Sequence, residues 1–234
     1  MTDLTFAPAP TPTVAVVGDA RRLPVHRIFC VGRNYADHAK EMGAEVDREA
    51  PFYFMKAAGA VVASGATIPY PPGTADFHHE VEFVVAIGAP AFGIARERAM
   101  DVVFGYACGF DMTRRDLQAA AKAKGRPWDF AKNVENSAPI GDIVPKEAFG
   151  EIGARAIRLA VDGVTRQAST LDQMVWSVPE LIAHLSRFYH LMPGDLIYTG
   201  TPAGVGPVVA GNRLVGTIDG LPPLEIEIGA AEPL

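Results

Sequence analysis

Two glutamates that stand two residues apart in a strand-like segment are the first candidates for chemistry. Glu80 and Glu82 lie in DFHHEVEFVVAIG (76–88), and in an extended chain residues two apart point to the same face. Val84 and Ala86 continue that face, so it becomes apolar directly beyond the two acids. Three interpretations are open: a half-exposed strand, ion pairs with basic neighbours, or a site for a hard divalent cation, which prefers carboxylate oxygens.

A third acid, Asp111, occurs where another strand-like run gives way to a helix, in GYACGFDMTRRD (105–116). Three carboxylates whose coordination is completed by water or substrate oxygens suit Mg²⁺ or Mn²⁺. His78 and His79 directly precede the glutamate pair, but HHEVE lacks the H-E-x-x-H order of a helical zinc site. We therefore expect structural roles for the two histidines and a cation site at the three acids.

A histidine and a glutamate form a second candidate pair in NYADHAKEM (34–42). His38 and Glu41 are three residues apart, which makes them neighbours on the surface of a helix. The pair is open to two interpretations. It is either an ordinary solvated pair or a carboxylate that orients an imidazole and raises its basicity, so that the imidazole can take a proton from water.

Two loops carry further polar candidates. The loop TGTPAGVGP (199–207) lacks both the G-x-G-x-x-G order and the helix of a dinucleotide-binding fold. We expect its backbone amides and the hydroxyl of Thr199 or Thr201 to approach an anionic ligand. Lys132, in KGRPWDFAKN (124–133), is either a surface lysine or, beside a metal site, a group that holds a carboxylate.

Short β-type runs separated by turns must position these residues. The chain contains 23 Gly and 19 Pro, a composition that favours many short strands over long helices. GDARRLP (18–24) predicts a turn between the first two runs. We predict an α+β fold built on a mixed sheet with helices at its margins. Residues 1–23 are expected to form an N-terminal arm and first strand, and residues 24–234 a single domain.

The predicted helices are few and short. Residues 34–43 form the first, with Asn34 as N-cap and Gly43 at the C-terminal end. The spacing of Thr113 and Asp116 predicts a capping box that opens the helix RRDLQAAAKAKG (114–125). A third, amphipathic helix begins at SVPEL (177–181) and includes Phe188 on its apolar side, with Pro193 and Gly194 beyond its end.

The bulk composition excludes several classes of protein. The 234 residues carry a formal net charge of −6 and no run of Lys and Arg, which argues against nucleic-acid binding. No stretch approaches the 18 uninterrupted apolar residues of a membrane span, and the N-terminus does not resemble a secretory signal. Cys30 and Cys108 lie in apolar runs and are expected to be free buried thiols. A soluble protein of the reduced cytoplasm is the expectation.

Four segments in order resemble the signature segments of the fumarylacetoacetate hydrolase superfamily: FCVGRNYADHAKEMG (29–43), HHEVEFVVAIG (78–88), GFDMTRRDLQAAAKAKGRPWDFAKN (109–133) and PGDLIYTGTPAGVG (193–206). Within that superfamily the chain is most similar to the small fumarylpyruvate and acylpyruvate hydrolases. The resemblance implies a mixed β-roll or sandwich, a homodimer, and Mg²⁺ or Mn²⁺ as the cofactor, with Ca²⁺ as a possible substitute in crystals.

The resemblance also implies roles for individual residues. Glu80, Glu82 and Asp111 match the metal ligands of the family. His38 and Glu41 match a water-activating pair on a lid helix near residues 34–43. The positions that match substrate contacts, with Lys132 also expected to take part in catalysis, are Arg33, Arg115, Gln118, Lys132 and Thr201.

The implied reaction is the hydrolytic cleavage of a carbon–carbon bond in a 2,4-dioxo acid, which yields pyruvate and a carboxylic acid. The alternatives are decarboxylation of oxaloacetate, isomerase or hydratase activity on related 2-oxo acids, and, remotely, a cation-binding protein without enzymatic activity. The chain departs from the family after Lys56, where Ala57 and Gly59 replace a common proline and a common hydroxyl or carboxylate side chain. That departure affects the expected contacts at the far end of the substrate.

Overall fold

The computed structural model describes residues 4–41, 43 and 48–232. The start of the predicted arm (residues 1–3) and Met42 of the predicted lid helix lie outside the described residues. The strands are labelled β1 to β18 in chain order and have these bounds: Thr13–Val16, Asp19–Pro24, Arg27–Gly32, Phe52–Lys56, Val61–Ala63, Ala66–Tyr70, Phe77–His79, Val81–Ile87, Val103–Phe110, Thr113–Arg114, Ala138–Ile140, Val144–Pro145, Ala156–Val161, Val164–Thr170, Asp195–Tyr198, Gly206–Val208, Arg213–Ile218 and Leu224–Ala231.

The helices are short and lie between the strands. The α-helices are labelled α1 to α5 in chain order and have these bounds: Ala36–Glu41, Arg115–Ala123, Asp129–Lys132, Lys146–Phe149 and Val178–Leu185. Three further segments form 3₁₀-helices: Ala58–Ala60, Arg96–Val102 and Leu171–Gln173. In the described part of the chain no helix is long and apolar enough to cross a membrane.

Two mixed sheets account for most of the fold. The larger has the strand order β4-β3-β15-β8-β9-β11-β5, with β12 paired to β9. The second has the order β14-β13-β17-β18-β6, and a small sheet of β10, β7 and β16 lies at the site described below. Parallel pairs such as β3 with β15 occur beside antiparallel pairs such as β8 with β9. The predicted α+β fold with mixed sheets is confirmed.

The central pair of the larger sheet, β8 and β9, is buried on both faces. All seven residues of β8 are buried, and so are seven of the eight residues of β9. Gly109 on β9 lies opposite Glu82 on β8, and a Cβ atom there would come within 2.6 Å of both Val84 and Tyr198. A glycine is therefore needed where a candidate ligand strand packs against its neighbours.

Two predictions near the N-terminus are wrong. The segment predicted as a turn, residues 18–24, contains the strand Asp19–Pro24, which pairs with β1 as a hairpin. Asn34 does not cap α1, because its side chain is bound elsewhere. Its amide nitrogen donates to the carbonyls of Trp176 and Thr199, and its amide oxygen accepts from the backbone N–H of Trp176.

Two predictions about helix ends are also wrong. No side chain caps α2: the Thr113 hydroxyl donates to the carbonyl of Asp111, and the Asp116 carboxylate accepts from Thr74 and from the N–H of Ala75. Helix α5 ends at Leu185, so Phe188 lies beyond it and is 65% exposed. At α2 the local pattern was compatible with a cap, but partners distant in sequence, Thr74 and Ala75, bind the Asp116 carboxylate.

The close packing at Gly109 leads to a stability prediction. We expect Gly109→Ala to lower the free energy of unfolding by about 1–3 kcal/mol, because the added methyl group overpacks the junction with Val84 and Tyr198. The measurement is a denaturant titration followed by circular dichroism. Gly59→Ala is the matched control, since no atom lies within 4 Å of the added carbon and its backbone is not in the left-handed region. Equal stability of the two variants would contradict the packing argument.

Candidate active site

Three carboxylates converge at one end of the β8–β9 pair. Glu80 precedes β8, Glu82 lies on it, and Asp111 directly follows β9. The antiparallel pairing places the start of β8 beside the end of β9, and the N–H of Asp111 donates to the carbonyl of Glu80 at 2.8 Å. One oxygen from each side chain lies within 4.8 Å of the others. All three are buried, which excludes the half-exposed strand as the explanation of the glutamate pair.

Three cationic side chains contact these acids. The Lys132 ammonium group donates to Glu80 at 2.8 Å and to Asp111 at 2.7 Å. The Arg115 guanidinium group donates to the other oxygen of Glu80, and the Lys56 nitrogen lies 2.9 Å from Asp111 Oδ1. The ion-pair interpretation of the acids therefore holds for Glu80 and Asp111.

The two glutamates differ in their charge environment. Burial tends to raise the pKa of Glu80, but the positive charges of Lys132 and Arg115 outweigh it and hold the pKa below its usual value. Burial, and then the charges of Asp111 and Glu80, raise the pKa of Glu82 well above its usual value. Among the described residues, no cationic side chain forms an ion pair with Glu82. Its Oε2 accepts the N–H of Gly200 at 2.8 Å, and a metal ion would supply the missing positive charge.

The hydrogen bonds of Asp111 also fit a metal ion. Lys56 has three N–H donors, and these are directed at the carbonyls of Met112 and Lys132 and at the hydroxyl of Ser137. Asp111 Oδ1 is consequently a buried oxygen without a hydrogen-bond donor among the described residues. An oxygen of this kind is costly unless it has a partner. Together with the other carboxylates it forms an oxygen donor set that suits Mg²⁺ or Mn²⁺.

His38 and Glu41 face this cluster from helix α1. The Nδ1 atom of His38 lies 3.2 Å from Glu41 Oε2, and the His38 side chain lines the same pocket as the three acids. Both oxygens of Glu41 accept the N–H of Gly204, at 3.1 and 3.2 Å. Glu41 thus connects α1 to the loop after β15. With Nδ1 directed at a carboxylate, Nε2 is the nitrogen available to accept a proton.

The structure also places the predicted substrate contacts in this pocket. Arg33, Arg115, Gln118 and Thr201 line it together with Phe54 and Trp128. Arg115 donates to Gln118 Oε1 at 2.7 Å, which leaves the Gln118 NH₂ group as a donor for a ligand. Arg33 has a φ of 59°, a left-handed conformation that is unfavourable for a residue with a side chain and is concentrated at functional sites.

The remaining candidates have structural partners. His78 contacts Asp76 at 2.8 Å, and His79 contacts Gln167 at 3.1 Å. Burial lowers the pKa of both histidines, to about 4 for His79. The Thr199 hydroxyl donates to the carbonyl of Phe83 at 2.8 Å. Of the two threonines considered for ligand binding, Thr201 is the one that lines the pocket.

Sequence reasoning assigned no role to two residues that support the site. Lys56 is one of them, although a lone lysine at the end of the apolar segment PFYFMK is itself a signal of a buried, paired charge. Gln167 on β14 gave no signal, because the strand around it is largely exposed. Its Oε1 accepts the N–H of Val81, and its Nε2 donates to Thr201. Gln167 therefore connects the strand of the acids to the loop of Thr201.

The chain is similar to several known proteins. Residues 27–229 match the family model for the fumarylacetoacetate (FAA) hydrolase C-terminal domain. The chain is 48% identical over 193 residues to a fumarylpyruvate hydrolase from a Ralstonia species, covering 82% of this chain and all of that protein. It is 42% identical over 202 residues to a mitochondrial oxaloacetate tautomerase from Arabidopsis thaliana, covering 86% of this chain and 90% of that one.

A solved structure extends the comparison to the fold. The fumarylpyruvate hydrolase from Pseudomonas aeruginosa, crystallised with Mn²⁺ and pyruvate, superposes with a TM-score of 0.95 at 47% identity. The match covers 97% of this chain and all of that chain. The predicted β-roll or sandwich of this family is therefore confirmed.

The carboxylate oxygens of Glu82 and Asp111 lead to a prediction about cation binding. We expect Mn²⁺ or Mg²⁺ to raise the melting temperature of metal-free protein, since a ligand at about 100 times its Kd adds about 2.7 kcal/mol of stability. Glu82→Gln should remove this shift, and Glu227→Gln, at an exposed strand position, should retain it. Differential scanning calorimetry with and without a chelator is the measurement. A shift that survives Glu82→Gln would place the cation elsewhere.

The raised pKa of Glu82 determines the pH dependence of this binding. A carboxylate with a raised pKa keeps its proton to higher pH, and the proton must leave before the oxygen can bind a cation. We therefore expect the apparent cation affinity to fall as the pH is lowered, measured by titration calorimetry between neutral and mildly acidic pH. An affinity that rises with acidity is the opposite sign and would contradict the assignment.

Proposed function

The chain belongs to the fumarylacetoacetate hydrolase family, and we propose that it is a metal-dependent hydrolase acting on acylpyruvates. The substrate is a 2,4-dioxo acid such as fumarylpyruvate, and the products are pyruvate and a carboxylic acid. One observation carries the proposal: the three buried carboxylates, with an Asp111 oxygen that accepts no hydrogen bond from the described residues, line the same pocket as His38, whose ring contacts Glu41. A cation site and a candidate base therefore face one substrate.

We propose that Glu80, Glu82 and Asp111 hold Mg²⁺ or Mn²⁺. When bound, this ion would chelate oxygens of the dioxo acid and, as a Lewis acid, stabilise the negative charge that develops as the bond breaks. Lys132 already contacts two of the acids, and we assign it to orienting the substrate carboxylate beside them. The free NH₂ group of Gln118 is positioned to polarise a carbonyl of the substrate.

His38 is the proposed general base. Glu41 holds the Nδ1 side of the ring, so Nε2 takes a proton from a water molecule that attacks the C4 carbonyl. The bond between C3 and C4 then breaks, and its electron pair passes to C3 of the departing pyruvate as an enolate. A proton returned to C3 completes pyruvate, and the acyl fragment leaves as a carboxylic acid. Water thus supplies the hydroxyl group and the proton of the products.

A second candidate function is supported by the comparisons. The oxaloacetate tautomerase from Arabidopsis thaliana is 42% identical to this chain, and an oxaloacetate decarboxylase from Dictyostelium discoideum is also 42% identical over 196 residues. Both reactions proceed through an enolate of a 2-oxo acid, and neither needs an attacking water. The same cation site could therefore serve them without His38 acting on water.

We further propose that residues 24–234 form one catalytic domain, with α1 as a lid over the pocket. Mg²⁺ is proposed as the working cation, in a homodimeric cytoplasmic protein, as the family resemblance implies. The exposed apolar side chains of Leu4 and Phe6 in the N-terminal arm, 61% and 82% accessible, support a contact with a second copy. The composition supports a small-molecule partner rather than nucleic acid.

Substitution of the base tests the hydrolytic mechanism. We expect His38→Ala to lower kcat for fumarylpyruvate by roughly 10²–10⁴-fold, because proton transfer from water loses its acceptor. The assay is the loss of substrate absorbance together with enzymatic quantification of pyruvate, with and without Mg²⁺. His190→Ala is the control, since His190 is exposed and stacks on Phe92 outside the pocket.

The same variant separates the two candidate functions. If His38→Ala loses acylpyruvate cleavage and the wild type turns over oxaloacetate only weakly, hydrolysis is the function. If the wild type acts mainly on oxaloacetate and His38→Ala retains that activity, oxaloacetate tautomerisation or decarboxylation replaces hydrolysis as the proposed function. If the His38→Ala variant turned over fumarylpyruvate as fast as the wild type does, another group would have to activate the water.

A further inference from the structure

The mouth of the pocket is positively charged, unlike its floor. At the floor Glu80 and Asp111 are ion-paired with Lys132, Arg115 and Lys56. Farther out, Arg33 and Lys122 line the same pocket. Neither side chain forms an ion pair or a side-chain hydrogen bond with any described residue. Within the described part of the chain these two cations at the entrance have no acidic partner, and an anion would neutralise their charge.

The position of Lys122 follows from helix α2. Arg115, Gln118 and Lys122 are spaced by three and four residues, so they lie on one face of the helix. Arg115 contacts Glu80 at the floor. Seven residues at 1.5 Å each place Lys122 about 10 Å farther along the helix axis than Arg115. The ammonium group of Lys122 is therefore placed where the far end of an extended substrate would lie.

The charges at the mouth act on one another. Burial, and then the positive charges of Arg33 and Arg115, lower the pKa of Lys122. Arg33 is exposed and holds a left-handed backbone conformation next to the end of β3. Repulsion among like charges and an unfavourable backbone conformation are both costs in the free protein. A negatively charged group between the side chains would offset the repulsion.

An aromatic wall connects the mouth to the floor. Phe54 and Trp128 line the pocket with ring centroids 5.9 Å apart. The Lys132 nitrogen lies 4.9 Å from the centre of the Phe54 ring, so the wall reaches the acids. A flat, unsaturated carbon chain fits against such a surface. The pocket therefore has three zones in sequence: a cation site, an aromatic wall and a cationic rim.

We propose that Arg33 and Lys122 bind a second carboxylate at the far end of the acyl group, and so select dicarboxylic over neutral acylpyruvates. This inference rests on the proposed function and specifies its substrate class.

The test compares two substrates that differ only at the far end. Fumarylpyruvate carries the second carboxylate, and crotonylpyruvate has a methyl group in its place on the same unsaturated chain. We expect Lys122→Met to lower the ratio of their kcat/KM values about tenfold, the effect of one charge-assisted contact near solvent. Most of the loss should appear in KM, because the far end is bound equally in the ground state and the transition state. Added salt should reduce the ratio of the wild type.

Two further variants control this comparison. Lys124→Met removes a positive charge from the exposed C-terminal end of the same helix, outside the pocket lining, and should leave the ratio unchanged. Lys122→Arg keeps the charge and should retain most of the ratio. Circular dichroism and melting temperatures confirm that the variants fold. Equal losses for both substrates, or an unchanged ratio in Lys122→Met, would overturn the proposal.

A binding measurement separates this inference from the proposed function. Titration calorimetry with Mg²⁺-loaded protein compares fumarate with crotonate, in which a methyl group replaces one carboxylate. If fumarate binds more tightly than crotonate and Lys122→Met removes the difference, the carboxylate site at Arg33 and Lys122 is supported. That result stands even if the protein cleaves no acylpyruvate, and the proposed function alone then fails. If the wild type cleaves crotonylpyruvate as efficiently as fumarylpyruvate, hydrolysis stands and the carboxylate site is refuted.

Discussion

The removal of three carboxylates from water is the constraint on which the rest of the structure depends. Isolated buried charges of this kind would cost many kcal/mol. Glu80 and Asp111 are held by Lys132, Arg115 and Lys56, whereas Glu82 has mainly a backbone N–H. The arrangement is therefore incomplete without a further cation. The uncompensated negative charge, which is reflected in the opposite pKa shifts of the two glutamates, favours the binding of a metal ion.

This constraint explains why the acids are carried by a strand pair that is buried on both faces. The closeness of Gly109 to Val84 and Tyr198 leaves no room there for a larger side chain. Gln167, from the second sheet, fixes the start of β8 through the N–H of Val81. Donor atoms must lie within a few tenths of an ångström of ideal positions to bind a metal. A sheet held from two sides meets that requirement.

The sequence predicted the floor of the site better than its surroundings. Alternation in β8 and the position of Asp111 at a strand end are local signals, and they led directly to the three acids. The roles of Asn34 and Asp116 depend on partners far along the chain, Trp176 and Thr74. A capping pattern cannot reveal such partners, so helix capping was predicted at both positions where the side chains serve tertiary contacts. The acids could be predicted because their signals are local. The partners of Asn34 and Asp116 could not, because local propensity does not encode contacts between distant segments.

The division between a rigid floor and a separate wall of side chains also accounts for the range of reactions among the relatives. Stabilising an enolate requires only the cation site, which hydrolysis, tautomerisation and decarboxylation can share. Hydrolysis adds a demand for a base aligned with water, and the proposed base, His38, is on α1, outside the sheet. The Glu41 contact with the N–H of Gly204 ties this helix to the loop that also carries Thr201. Gly204 has a φ of 95°, and a Cβ atom there would collide with the carbonyl of Arg166. The alignment of the base thus depends on one glycine turn anchored to the second sheet, and changes confined to that turn could alter the reaction while the metal floor stays the same.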